Sequence, residues 1–203
     1  MPTRVLIVRH ADATYRQPEL VSDDGGWLTR KGVGQASELG ATVCSEHPVA
    51  VYTSTMHRAA QTGGIAGATV GLMPRVIRGL QELEVGDFNG VPDGDPELAA
   101  VYTAWFDGDL DREMPGAGTG RDLIRRFRVA IDAVVDAHPN QTVIVISHGG
   151  VMSMAVPRLC TNIPDDVARQ RYLPNCAIVA VGIDNGTWQL LGDWPGRADW
   201  DMT

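Results

Sequence analysis

Arg9 and His10 close the apolar run Val5-Leu6-Ile7-Val8 and open the polar segment that begins Ala11-Asp12. A buried strand that ends at a site has this pattern, and ligands gather where the strands of an open α/β sheet end. An imidazole beside a guanidinium at such an end suits attack on a phosphorus atom. Neutral imidazole is a nucleophile near pH 7, and a guanidinium fork matches phosphate oxygens. A second histidine, His148, follows the run Thr142-Val143-Ile144-Val145-Ile146 through Ser147 and leads into Gly149-Gly150. One such histidine is as readily a hydrogen-bonded core residue. Two of them, each just past the end of a buried strand, point to one crevice.

The chain must supply the rest of that chemistry from within a modest protein. Its 203 residues suit one α/β domain spanning 1–203, and 44% hydrophobic with 21% charged residues is the composition of a globular protein. A net charge of −8 argues against nucleic acid and against anionic membrane surfaces, because both are bound through a basic face. An anionic ligand therefore needs locally concentrated positive charge. The first apolar run is four residues long and then meets Arg9, so no leader or membrane span is expected and the cytoplasm is the expected location. Cys44, Cys160 and Cys176 form no CxxC pair and read as small core hydrophobes. No HxxxH pair or acidic cluster asks for a metal, and no cofactor is expected.

Apolar strands alternate with helical stretches along the chain. Residues 4–9 read as a strand, followed by a helix capped by Thr29 and running towards Val43, with Val33, Ala36, Leu39 and Val43 on one side. A strand at 49–53 leads into a helix through Arg58 and Ala59 to about Ala66, where Gly63, Gly64, Gly67 and Gly71 loosen the pattern. Residues 74–78 suit a third strand, and the glycine- and proline-rich stretch 84–96 reads as loop. Thr119 and Asp122 resemble a capping box ahead of the stripe Leu123, Phe127, Ala130, Ile131 and Val134. The strand 142–146 comes next, and Asn185-Gly186 predicts a hairpin between 177–183 and 187–191.

Five ordered blocks now carry a resemblance. Val8-Arg9-His10-Ala11, Leu28-Thr29 with Gly32 and Gln35-Ala36, Ser54 with Arg58-Ala59 and Gln61-Thr62, Leu80 with Glu82, Gly86 and Gly90, and Ser147-His148-Gly149-Gly150-Val151 together resemble the histidine phosphatase superfamily in its phosphoglycerate-mutase-like branch. The match spans nearly the whole chain. It implies a mixed, mostly parallel central sheet flanked by helices on both faces. It also implies that His10 is the nucleophile, that Arg9, Arg58 and His148 clamp the phosphate with Gly149 beside them, and that Glu82 is the acid; Arg16, where the family has an asparagine, either adds a positive contact to the substrate or swings to solvent. No metal is required by that chemistry. Glu84, two residues on, competes for the acid's role, but the spacing from Glu82 to Gly86 and Gly90 favours Glu82.

The chain also departs from its relatives. Ala11 replaces the glycine after the catalytic histidine, Ala13 a hydroxyl residue and Arg16 an asparagine, while Gly118-Thr119 lacks the glutamate of a related branch. Ser153 stands where many relatives place an arginine. The segment 86–118 and the helix around Arg121–Arg128 are expected to roof the pocket. Tyr102, Trp105 and Phe106 suit either core or an organic moiety, and Arg121, Arg125, Arg126 and Arg128 a mostly solvated face with room for one to reach substrate. The tail from Asp193, with Trp194 and Trp200, is left open between packing down, contacting a partner chain and staying loose. A homodimer is compatible with the sequence and nothing requires one. Three functions remain: a hydrolase of a small phosphate ester, a mutase passing phosphate through phospho-His10, and a non-catalytic binder of phospho-ligands. The retained His10, Arg9, Arg58, Glu82 and His148 speak against the last, and the absence of a long mutase-type insertion favours the first.

Overall fold

A computed structural model describes residues 1–169 and 171–196. The elements run β1 (Thr3–Arg9), β2 (Ala13–Thr14), β3 (Trp27–Leu28), α1 (Arg30–Val43), β4 (Ala50–Thr53), α2 (His57–Thr69), β5 (Arg75–Val76), α3 (Pro96–Phe106), β6 (Glu113–Met114), β7 (Gly118–Thr119), α4 (Gly120–Ala137), β8 (Thr142–Ser147), α5 (Gly149–Leu159), β9 (Ile178–Asp184) and β10 (Thr187–Leu190). Six strands form the central sheet in the order β10-β9-β1-β8-β4-β5. β1, β8, β4 and β5 are parallel, and β9 runs antiparallel to both β1 and β10, so the sheet is mixed and mostly parallel as expected.

Alternation along the two central strands decides which helices cover which face. Leu6, Val8, Ile144 and Ile146 meet Leu39 and Val43 of α1 and Ala59 and Ala66 of α2 on one side. Val5, Ile7, Val143 and Val145 meet Phe127 and Ile131 of α4, Met152 and Val156 of α5 and Trp105 of α3 on the other. Both faces are therefore dry, which is why these strands read as continuous apolar runs.

Local chemistry explains the element ends. Thr29 caps α1 by accepting from the Gly32 N–H at 3.0 Å. Thr119 and Asp122 close a reciprocal capping box on α4. Asn185 and Gly186, at φ of 48° and 74°, turn the β9–β10 hairpin.

Three expectations change. The α2 helix does not fray at its glycines but continues to Thr69. At Gly63 a Cβ would lie 2.3 Å from the Thr53 methyl, and at Gly40 of α1 one would lie 2.7 Å from Thr69, so glycine permits the close approach of these layers instead of breaking the helix. The third strand shrinks to Arg75–Val76. The roofing segment holds a helix, α3, which Asp95 caps through the Glu97 and Leu98 N–H groups with Pro96 in its first turn. Trp105 belongs to the core at 3% exposure.

The tail packs down as far as it is described. Trp194 is buried and donates from Nε1 to the Arg171 carbonyl at 2.9 Å. Trp200 lies outside the described residues. Among the described residues no helix is long and apolar enough to cross a membrane.

Candidate active site

Sheet register brings the two histidines together. Arg9 of β1 pairs with Ser147 of β8, so His10 and His148 leave adjacent strands at one level, while Thr53 of β4 pairs with Ile146 and places Ser54 one residue earlier, level with Ser147. The ladder extends one step beyond the strands: His10 N–H donates to the Ser147 carbonyl at 2.9 Å, and Ser54 N–H to that of Ile146 at 3.1 Å. The His10 and His148 rings stand 5.1 Å apart between centroids.

His10 is held on every side. Its Nδ1–H donates to the Ala11 carbonyl at 2.7 Å, which fixes the tautomer and leaves the Nε2 lone pair as the reactive one. Arg58, buried on the first turn of α2, donates from Nε to that Nε2 at 3.0 Å and from Nη1 to the Gly25 and Asp24 carbonyls at 2.9 and 3.2 Å. Thr62, one turn on, accepts the Ala11 N–H at 3.1 Å. Ala11 lies outside the left-handed region, so its methyl replaces the usual glycine without strain.

Burial, and behind it the Arg58 guanidinium, pull the His10 pKa down to about 3. His148 is likewise held well below the ordinary imidazole value, by burial first and then by Arg58. Both rings are therefore neutral at physiological pH, and His10 keeps its lone pair. The unfolded chain binds a proton on His10 near pH 6.5 and the folded chain only near pH 3, so between those values acidification favours unfolding. The stability held above pH 6.5 is lost as pH falls towards 3. Equilibrium unfolding at pH 7.5 and pH 5.0 is expected to show His10→Ala losing less stability than the wild type, by about 1–2 kcal/mol.

Two donors remain unspent. Ser54 accepts the Met56 N–H at 3.3 Å and is 2.7 Å from His148 Nε2; in the tautomer where its hydroxyl hydrogen serves Nε2, Nδ1–H is the ring's donor. That Nδ1 and the Nε of Arg9 are buried with no hydrogen-bond partner among the described residues. Buried donors without acceptors are costly, and an anion among them would satisfy both. Gly149 makes room for Arg9: a Cβ there would lie 3.1 Å from Arg9 Nε. Its amide is the first of α5 and has no intrahelical acceptor.

Glu82 joins from the loop after β5. Its carboxylate accepts from the Gly150 and Val151 N–H groups at 3.1 and 2.7 Å, and from its own neighbour Leu83 at 3.0 Å. It thus caps α5, the helix that follows His148. A Cβ on Gly150 would lie 2.6 Å from Glu82 Oε1, so the second glycine of Ser147-His148-Gly149-Gly150 makes space for the acid. Glu84 is exposed and lines a cavity of about 510 Å³ with Asp23, Asp24, Gly25, His57 and Gln81. That cavity shares Asp24 and Gly25 with the anchor of Arg58.

Arg16 makes no hydrogen bond or ion pair to this cluster among the described residues. It is exposed, and its guanidinium lies 5.3 Å from the Trp27 ring. Residues that the sequence did not single out do the reverse. Arg9 stacks 4.6 Å above the Tyr172 ring and donates to the Leu173 carbonyl at 2.6 Å, and Asn175 Nδ2 donates to the His10 carbonyl at 3.0 Å. The Pro174-Asn175 pair reads only as a turn, and its partners lie 165 residues away, beyond any local pattern.

The histidine phosphatase superfamily (branch 1) model matches residues 5–193. A metal-independent phosphoserine phosphatase of Arabidopsis thaliana is 32% identical over 202 residues, covering 95% of this chain and 81% of its own. A probable phosphoglycerate mutase of Erwinia tasmaniensis is 26% identical, with 93% and 89% covered. Among solved structures, a mycobacterial glucosyl-3-phosphoglycerate phosphatase superposes with a TM-score of 0.78 at 20% identity, covering 96% of this chain and 99% of that one. With the family model spanning nearly the whole chain, the protein belongs to branch 1 of the histidine phosphatase superfamily.

Proposed function

We propose that the protein hydrolyses a small phosphate monoester through a phosphohistidine on His10. The observation that supports this most strongly is His10 itself, buried, neutral, and facing Arg58 through the lone pair that would attack. Attack by Nε2 forms the P–N bond as the P–O bond to the alcohol breaks. Arg9, Arg58, His148 and the Gly149 amide hold the three equatorial oxygens, where charge is spread in such a transfer. Glu82, as the acid of this reading, gives a proton to the departing alkoxide. Its carboxylate then takes a proton from the water that attacks phosphorus, the P–N bond breaks, and inorganic phosphate leaves with His10 neutral again.

The relatives' names suggest phosphoserine and phosphoglycerate-type esters as first candidates. A phosphate-release screen over phospho-amino acids, phosphoglycerates, sugar phosphates and nucleotides tests this. The mutase reading has its support in the Erwinia relative, and products separate the two: phosphate released without a bisphosphate primer means hydrolysis, isomerised substrate a mutase. The cytoplasm is the proposed location.

Glu82→Gln tests the acid directly. Loss of a general acid is expected to lower kcat by about 10²-fold on an alkyl phosphate and far less on 4-nitrophenyl phosphate, whose leaving group needs no proton. Equal losses on both substrates would reject Glu82 as the acid.

A further inference from the structure

Four arginines line one stretch of α4, and three of them behave alike. Arg121, Arg125 and Arg128 reach Asp111, Asp122 and Asp132 at 2.9, 2.7 and 3.4 Å, with half or more of each arginine side chain in solvent. Such pairs contribute little to stability. Arg126 turns the other way. It is partly buried, makes no ion pair among the described residues, and donates from Nη2 to the Glu82 carbonyl at 3.0 Å and from Nη1 to Gln81 Oε1 at 3.4 Å.

The contact continues along the same helix face. Gly79, at φ +102°, packs so closely on α4 that a Cβ would lie 2.7 Å from the Ala130 methyl and 3.0 Å from the Arg126 carbonyl. Gln81 in turn accepts the Gly79 N–H. Residues 79–82 are thus fastened to α4 from behind, while the α5 amides of Gly150 and Val151 hold the Glu82 carboxylate from the front.

Withdrawing a guanidinium from water to serve neutral acceptors is costly, and burial lowers its proton affinity, opposed by the fields of Glu84 and Glu82. A loop that only needed tethering would be served by an apolar contact. Arg126 also lines a cavity of about 760 Å³ that His10, Arg58 and His148 do not line, so one residue touches both that void and the Glu82 carbonyl. We infer that Arg126 is a positioning residue for Glu82: its fork fixes the backbone from which the acid is presented to the leaving group. This rests on the reading of Glu82 as the acid.

The experiment compares wild type, Arg126→Met, Arg126→Lys and Glu82→Gln on 4-nitrophenyl phosphate and glycerol 2-phosphate. Misplacing an acid by a fraction of an ångström to an ångström is expected to lower Arg126→Met kcat on the alkyl ester about tenfold, with KM little changed and a clearly smaller loss on the aryl ester. Lysine keeps the charge and stem but not the fork, so Arg126→Lys is expected to fall between the two. It also carries the test if the methionine variant does not fold. Equal losses on both esters, or an effect confined to KM, would overturn the inference while Glu82→Gln discriminates the esters. If Glu82→Gln does not discriminate them, the acid reading itself falls and the inference with it.

Discussion

Replacing His10 with alanine is expected to lower turnover of 4-nitrophenyl phosphate by on the order of 10⁴-fold or more, while the circular dichroism spectrum stays that of the wild type. Loss on this scale follows from what the side chain is asked to do. Among the described residues no hydroxyl, thiol or amine is hydrogen-bonded to the His10 side chain to take over as nucleophile; its Nδ1 meets the Ala11 carbonyl and its Nε2 the Arg58 Nε. The aryl ester sharpens the result, since its leaving group needs no acid and the loss reports nucleophilic attack alone. The fold survives because position 10 is held by its backbone. Its N–H reaches Ser147, its carbonyl receives Asn175, and its neighbour Ala11 is held by Thr62. Alanine leaves the buried Arg58 Nε without its His10 acceptor, a local cost, while removal of the imidazole relieves the acid sensitivity noted above.

Arg58→Ala is expected to cost about 10²–10³-fold in kcat on the same ester, with Arg58→Lys recovering only part of it. Arg58 does two things with one group. Its Nε donates to His10 Nε2, and its Nη1 anchors the Asp24-Gly25 turn. The aromatic ring of Tyr15 lies 5.4 Å from its Cζ and limits where the guanidinium can move. Lysine brings a charge to this place but cannot serve nucleophile, phosphate and turn together. Steady-state kinetics on both variants check this, and a lysine enzyme as active as the wild type would mean that charge alone matters there.

The reading from residues reached the sheet and its two histidines because both depend on short-range signals. Fully buried strands announce themselves as β-branched runs, and parallel pairing of β1 with β8 then places His10 and His148 side by side. Helix ends at Thr29 and Thr119 were legible for the same reason, since a cap needs only a hydroxyl three residues ahead of an amide. The α2 glycines misled because their meaning lies outside the helix: Gly63 is small on account of Thr53, and Gly67 on account of the Leu72 carbonyl.

The segment 171–176 was illegible in the same sense. Nothing about Tyr172, Leu173 or Asn175 signals chemistry until the fold lays them against Arg9 and His10. Arg16 shows the converse. The sequence leaves two outcomes open for it, a substrate contact or a turn to solvent, and in the structure it is exposed with its guanidinium over Trp27. Arg126 looked like one more charge on a solvated face, and only the packing of α4 behind Glu82 distinguishes it.

A rapid quench of the wild type with a labelled phosphate monoester, followed by peptide mapping under alkaline conditions, tests the central claim most directly. An alkali-stable, acid-labile phosphoryl group on the peptide carrying His10, absent from His10→Ala and accumulating when Glu82→Gln slows hydrolysis, is the expected result. Turnover with no label on the protein at any quench time, or label on a residue other than His10, would contradict it.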